Sequence, residues 1–282
     1  MSTVLVIKYT VMTSVILLML TVGLRTPFNQ IVDVVKRFSL LLRGLMANFV
    51  VAPVLIYLSI LWLPIAAEVK IGIMLMASAP IAPMAPLPFV GIAKGDIAYS
   101  AGLMVIAAVL CVALTPLILT LTLPSSDGGL KVDPWQIVRT LLLVQLIPIG
   151  TGIVIQRVSL AWRERLLRFV PKIAQSGLLV GIGMLLVHQA QQILSIGLLG
   201  IGVNLVLVVL CLAVGHVTLI GESGELRRAL AVSTAVRNIP LAFVIANESF
   251  PGTLVPPVTL VFTTFSMILS VMYGRLTVGR DS

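Results

Sequence analysis

The stretch STAVRNIPLA, residues 233–242, puts an arginine, an asparagine and a proline inside a long apolar run. The nearest other charged residues along the chain are Arg228 and Glu248. Pro240 predicts a break in any helix that passes through this point, because proline lacks a backbone N–H and clashes with the preceding turn. A permanent charge beside a helix break needs a reason other than packing.

The composition places this stretch in a membrane. The chain has 282 residues, of which 59% are hydrophobic and 10% are charged, with a mean hydropathy of +1.15. A soluble domain carries about 25% charged residues. We therefore predict an all-α polytopic membrane protein. The net charge of +9 then does not point to nucleic acid, because membrane proteins collect basic residues in cytoplasmic loops.

Nine apolar segments approach or exceed the length of about 20 residues that crosses a bilayer. Turn-forming residues such as Gly, Pro and Asp separate them, and a short surface helix is predicted over 30–37. The nine segments are 4–24, 38–61, 68–93, 96–122, 136–157, 163–191, 195–220, 223–249 and 253–275.

Basic residues divide unequally between the two sides of this map. Fourteen Lys and Arg residues fall on one side, four on the other, and Arg237 on neither. The richer side of a membrane protein is normally cytoplasmic. We therefore predict a multi-pass plasma-membrane protein, in a bacterial inner membrane, with its N-terminus outside and its C-terminus in the cytoplasm.

The third segment is interrupted like the eighth. It reads MASAPIAPMAPLPFVGIAKGD, residues 76–96, with predicted helix breaks at Pro80, Pro83, Pro86 and Pro88. The half-segments after the two breaks, 87–94 and 241–247, are similar and run in opposite directions on the charge map. Two such segments indicate an inverted repeat with a binding site where they meet. The alternative is two proline-kinked packing helices.

The residues at membrane depth limit the chemistry. All ten acidic residues map to segment ends or loops, whereas cation-coupled carriers usually keep a buried carboxylate. No hydrolase-like constellation appears, so neither an enzyme nor a cofactor is predicted. Burying Arg237 costs about 2.5–3.5 kcal/mol on insertion scales. Its guanidinium could bind an anionic substrate bidentately, or take the place of a metal cation against carbonyls freed by the break.

The stretch GIAKGDIAYSAGLMVIAAVLCVALTPL, residues 91–117, resembles the bile acid:sodium symporter family, as does the eighth segment around Asn238 and Leu241. The resemblance implies two inverted five-helix repeats, a core and a panel domain, and two discontinuous crossing helices. The resemblance implies that this chain is without the first helix of that plan. It is interpreted as a single transmembrane transporter domain, 1–282, with a shortened first repeat, 1–123, and a second repeat, 134–276.

The positions that the resemblance assigns to two sodium ions are largely replaced. An arginine is gained and a carboxylate is lost, a change of about +2 that equals the charge of those ions. No metal is therefore predicted, although sodium stays open, and the degraded sites lie near Ser233, Arg237 and Ser100. Ser233 replaces the carboxylate, Arg237 a glutamine, Pro86 and Leu87 a Ser-Asn pair, and Met104 one of two hydroxyls, while Ser100 keeps the other.

These patterns favour a secondary transporter of small organic anions that works by alternating access with weakened or no sodium dependence. One alternative is a sodium-coupled symporter that uses hydroxyls such as Thr234 and Ser100; another is a non-transporting receptor or scaffold. The predicted partners are an organic anion and the bilayer, and the oligomeric state stays open. The predicted substrate-binding residues are Arg237, Asn238, Ser233, Thr234, Ser100, Gln145 and Asn204. For Gln145, a hydrogen bond between helices is an equal alternative.

Overall fold

The structure, a computed structural model, describes residues 3–79, 81, 86–122 and 133–278. Two of the predicted helix-breaking prolines, Pro80 and Pro83, lie outside the described residues, as do the side chains of Pro86 and Leu87.

Every regular element in the described part of the chain is a helix, which confirms the all-α prediction. Two helices, α3 and α7, each contain a π-helical turn, at Ala47–Val51 and Leu142–Leu146. The elements are α1 Thr3–Arg25, α2 Phe28–Lys36, α3 Phe38–Leu61, α4 Ala67–Ser78, α5 Pro86–Ile92, α6 Ile97–Thr122, α7 Pro134–Val158, α8 Leu160–His188, α9 Ala190–Ser195, α10 Gly197–Thr218, α11 Gly224–Ala235, α12 Ile239–Ser249 and α13 Val255–Val278.

Seven described helices are long and apolar enough to cross a membrane: α1, α3, α6, α7, α8, α10 and α13. The two interrupted segments form helix pairs instead. We call α4 with α5 the first crossing segment, and α11 with α12 the second crossing segment. Each pair occupies one of the nine predicted spans, so the structure reproduces the predicted succession of segments. Their division into two inverted repeats stays a prediction.

Prolines mark the start of the second half-helix in both crossing segments. Pro86 is the first residue of α5, Pro88 the third, and Pro240 the second residue of α12. The first backbone N–H groups of a helix have no partner within it, so proline is tolerated there. The breaks themselves come earlier, after Ser78 and Ala235.

The helices pack as two groups. The first group is α1 with α7 and α8, along which it lies. The second group is α10, α13, α6 and the two crossing segments: α13 contacts both halves of each crossing segment, α10 packs on α11 and α13, and α6 contacts α4, α5 and α11. Contacts between the groups run from α12 to α1 and from α6 to α7. The end of the second crossing segment therefore lies against the α1 group, so a movement of one group relative to the other would change its contacts.

Gly152 allows α1 and α7 to approach closely. A Cβ at this position would lie 2.5 Å from the Leu20 carbonyl oxygen and 2.8 Å from the Leu24 nitrogen. Gly152→Ala is expected to destabilise the protein by about 1–3 kcal/mol, because backbone atoms cannot move aside as a side chain can. Gly150→Ala is the matched control, since a Cβ there meets nothing within 4 Å. Thermal unfolding in detergent measures both, and equal melting temperatures would contradict the close crossing.

Candidate functional site where the two broken helices meet

The two breaks lie side by side. Ile81, in the first crossing segment, forms an antiparallel bridge with Arg237 in the second. α4 and α11 both end just before this bridge, at Ser78 and Ala235. Helix C-termini carry partial negative charge and stabilise cations. We call the place where the two breaks meet the crossing. It favours a positive group at the position that Arg237 occupies.

Two carbonyls at the end of α4 accept hydrogen bonds from side chains of other segments. Thr115 Oγ1 of α6 donates to the Ser78 carbonyl at 2.7 Å, and Arg237 Nη1 donates to the Ala79 carbonyl at 3.2 Å. The last carbonyls of a helix lack partners within it, and leaving them bare at membrane depth is costly. Arg237 therefore satisfies part of the break in the other crossing segment.

Arg237 is completely buried, and one of its nitrogens donates hydrogen bonds to two backbone carbonyls. Besides Ala79, Nη1 donates to the Asn48 carbonyl at 3.1 Å, in the π-helical turn of α3. Nε and Nη2 have no hydrogen-bond partner among the nitrogen and oxygen atoms of the described residues, and the Cys211 thiol lies beside the guanidinium. No ion pair joins Arg237 to a described acidic residue. A cationic nitrogen between carbonyl oxygens is the arrangement expected of a stand-in for a metal cation.

Asn48 belongs to this site, although it is not among the residues predicted from the sequence. Its Nδ2 donates to the Gly44 carbonyl at 2.9 Å and lies 3.4 Å from Thr234 Oγ1. Its buried Oδ1 has no partner within the described residues. A signal was present, because Gly44 and Asn48 share the spacing of Gly200 and Asn204, and both asparagines are central in apolar segments.

Two predicted hydroxyls of the degraded sodium sites are brought together. Ser100 of α6 and Ser233 of α11 share a hydrogen bond of 2.7 Å, in which either oxygen can donate. Thr234 Oγ1 donates to the Leu230 carbonyl one turn earlier, at 2.8 Å. The serine pair ties the second crossing segment to α6.

Gln145 and Asn238 are also brought together, across the two helix groups. Asn238 Nδ2 donates to Gln145 Oε1 at 3.0 Å, and Gln145 Nε2 donates to the Ala108 carbonyl at 2.7 Å. Asn238 Oδ1 accepts from the backbone N–H of Leu241 at 3.2 Å and so caps α12. One polar chain therefore joins α6, α7 and the start of α12.

Asn204 stands apart from the other predicted residues. Its Nδ2 donates to the Gly200 carbonyl at 2.8 Å within α10, and its Oδ1 has no partner among the described residues. All seven predicted substrate-binding side chains have 0% exposure. The structure thus holds the crossing closed, and a ligand can reach these groups only after the helices separate.

The Gln145–Asn238 bond can be measured by a double-mutant cycle. Gln145→Ala and Asn238→Ala are each expected to destabilise the protein by about 1–3 kcal/mol, because each leaves a buried polar partner unsatisfied. Together they should show a coupling energy of about 0.6 kcal/mol, the usual value inside membrane proteins. Gln156→Ala, which removes a bond to the Leu24 carbonyl away from the site, is the control and should not couple to Asn238→Ala. Strictly additive effects of Gln145→Ala and Asn238→Ala in denaturant unfolding would contradict the bond.

The oxygen atoms that the structure describes at the crossing do not suit a sodium ion. The Ser100 and Ser233 hydroxyls bind each other, and the Asn48 and Ala79 carbonyls bind Arg237. A second cation beside the guanidinium would be repelled in this buried region. No group of three or more His, Cys, Asp or Glu side chains that could hold a metal occurs among the described residues.

Comparison with known proteins agrees with this architecture. A family model described as "Sodium Bile acid symporter family" matches residues 12–196, about two thirds of the chain. The matched range contains the first crossing segment and ends before the second. No curated protein matches the chain. Members of the family are membrane transporters and not enzymes. The chain belongs to the sodium bile acid symporter family.

Proposed function

We propose that this chain is a secondary carrier of small organic anions that works by alternating access and does not require sodium. One observation carries the proposal: Arg237 Nη1 lies between the Asn48 and Ala79 carbonyl oxygens, at 3.1 and 3.2 Å. A fixed guanidinium at that place supplies positive charge permanently. The crossing then has no need to recruit a cation before the anion binds.

The same side chain offers a second edge to the substrate. Nε and Nη2 form the side of the guanidinium that binds a carboxylate with two parallel hydrogen bonds, and neither has a nitrogen or oxygen partner among the described residues. We assign Nη1 to the carbonyls and the Nε–Nη2 edge to the anion. The two roles considered for Arg237 from the sequence are therefore compatible in one side chain.

The remaining predicted residues line the same site in this proposal. Asn238 and Gln145 bind each other across the two helix groups in the closed form. In the transport cycle they separate as the groups move apart, and their amides become available to the anion. Ser100, Ser233 and Thr234 line the adjoining polar surface. Asn204 is the exception, because it stands apart within α10 and receives no role in this proposal. No resident cofactor is required.

A sodium-coupled symporter is the second candidate, and the description of the matching family favours it. It would use the hydroxyls of Thr234 and Ser100 together with backbone carbonyls. Two of those carbonyls already bind Arg237, which supports the sodium-independent proposal instead.

Counterflow in proteoliposomes tests whether the chain is a carrier. Vesicles are loaded in turn with unlabelled cholate, sulfate, a 2-keto acid or pantoate, and the labelled form of the same anion is added outside. We expect trans-stimulated accumulation of at least one of the three carboxylates. Protein-free vesicles are the control. Accumulation of none of the four anions would overturn the carrier proposal and favour a receptor or scaffold.

A further inference from the structure

A cleft lies away from the crossing, where α1, α7 and the end of α12 meet. Its volume is about 450 Å³, and the polar side chains that line it are those of Lys8, Gln136, Arg139, Thr140 and Glu248. We call these five residues the outer cleft, because the charge map of the sequence places them on the predicted outer side. The cleft joins both helix groups.

A carboxylate of the protein itself already occupies the basic part of the cleft. Glu248 Oε1 lies 3.3 Å from Lys8 Nζ, and Glu248 Oε2 accepts from Thr140 Oγ1 at 3.0 Å. Arg139 is exposed and makes no ion pair within the described part of the chain. Among the described residues, two cations therefore face one anion in the cleft, and one positive charge has no ion-pair partner.

We propose that the outer cleft is a second binding site for an organic anion, in which Lys8, Arg139 and Thr140 receive the anion and Glu248 is displaced. The inference rests on the proposed function for the class of its ligand. An incoming carboxylate offers Lys8 and Thr140 the same oxygen ligands that Glu248 now provides, and Arg139 adds a charge that Glu248 does not use.

Displacement of Glu248 would affect the crossing through α12. This helix is tied at its end to Lys8 and Thr140 through Glu248, and at its start to Gln145 through Asn238. Asn238 and Glu248 are 10 positions apart, which separates the two ties by about 15 Å at the usual helical rise. Binding in the outer cleft releases one tie of the second crossing segment and thereby favours separation from α1 and α7.

Thiol labelling of the full chain in intact cells tests the charge of the cleft without a known substrate. Gln136→Cys provides a reporter inside the cleft, and the natural Cys111 and Cys211 are buried. The probes are an anionic sulfonate and a cationic trimethylammonium, each carried on a methanethiosulfonate. The ratio of the two labelling rates, anionic to cationic, is measured in Gln136→Cys alone and in Gln136→Cys combined with Lys8→Gln, Arg139→Gln or Glu248→Gln. Lys70→Gln is the matched control, since Lys70 also maps to the outer side but binds the Leu61 carbonyl.

Opposite shifts are the result expected if these charges set the potential that an anion meets in the cleft. We expect Lys8→Gln and Arg139→Gln to lower the anionic-to-cationic rate ratio about threefold, and Glu248→Gln to raise it about threefold, as for one unit charge several ångströms from the thiol. Lys70→Gln should leave the ratio unchanged. If Lys8→Gln and Glu248→Gln change the labelling rates of both reagents by the same factor, the Lys8–Glu248 pair only holds the helices together and the proposal is overturned. Absence of labelling from outside the cell also overturns it.

The labelling result is independent of counterflow. Opposite ratio shifts in a chain that exchanges none of the four anions would keep the outer cleft and reject the carrier. Counterflow without ratio shifts would keep the carrier and reject the outer cleft.

Discussion

Arg237→Gln is expected to lower counterflow by about 100-fold, since charge-assisted hydrogen bonds contribute about 1.5–3 kcal/mol each. Glutamine is shorter than arginine and carries no charge. It leaves the Asn48 and Ala79 carbonyls without their shared donor and removes the Nε–Nη2 edge assigned to the anion. Initial counterflow rates, normalised to the amount of folded protein on size-exclusion chromatography, measure the effect.

Two further variants make this prediction decisive even if Arg237→Gln folds poorly. Arg237→Lys keeps the charge but loses the planar pair of donors, so we expect it to fold and to retain about a tenth of the rate. Arg25→Gln removes an exposed arginine at the end of α1 and should behave as wild type. Wild-type rates in Arg237→Gln, or rates in Arg237→Lys no higher than in Arg237→Gln, would contradict the role assigned to the charge.

The double variant Ser233→Glu/Arg237→Gln is expected to acquire a response to sodium. It restores the carboxylate and the glutamine that the family resemblance assigns to these positions and changes the local charge from positive to negative. A buried carboxylate without a cationic partner is strongly destabilising, so a sodium ion should stabilise the fold. For a dissociation constant of about 10 mM, 150 mM sodium would contribute about 1.6 kcal/mol.

Melting temperatures in sodium chloride and in choline chloride measure this gain. The single variant Ser233→Glu is the control, because it keeps the Arg237 cation, which can offset the new carboxylate in place of sodium. We expect a sodium-specific rise of a few degrees in the double variant and none in the single variant or the wild type. An equal rise in all three proteins would show that sodium acts elsewhere.

The membrane segments could be predicted from the sequence because their cause is local. Apolar length and basic loops gave the nine segments, and the prolines predicted both interruptions. The breaks lie a few residues before the described prolines, since proline is well accommodated in the first turn of a helix. Helix geometry thus explains both the success and the shift.

The contacts of the site could not be predicted, because they depend on how distant segments pack. Ser100 and Ser233 are 133 positions apart, and Gln145 and Asn238 are 93 apart, yet each pair shares a hydrogen bond. The central place of Asn48 in an apolar segment was a signal for the residue but not for its bond to Arg237, which uses a backbone carbonyl in a π-helical turn. The assignment of the seven residues to substrate binding remains a prediction.

If the guanidinium of Arg237 takes the place of sodium at the crossing, transport needs no sodium. The measurement is the initial rate of counterflow of the transported anion when all sodium is replaced by choline at constant ionic strength. We predict the same rate in both salts. A rate that falls to the level of protein-free vesicles in choline would contradict the claim and establish a sodium-coupled symporter.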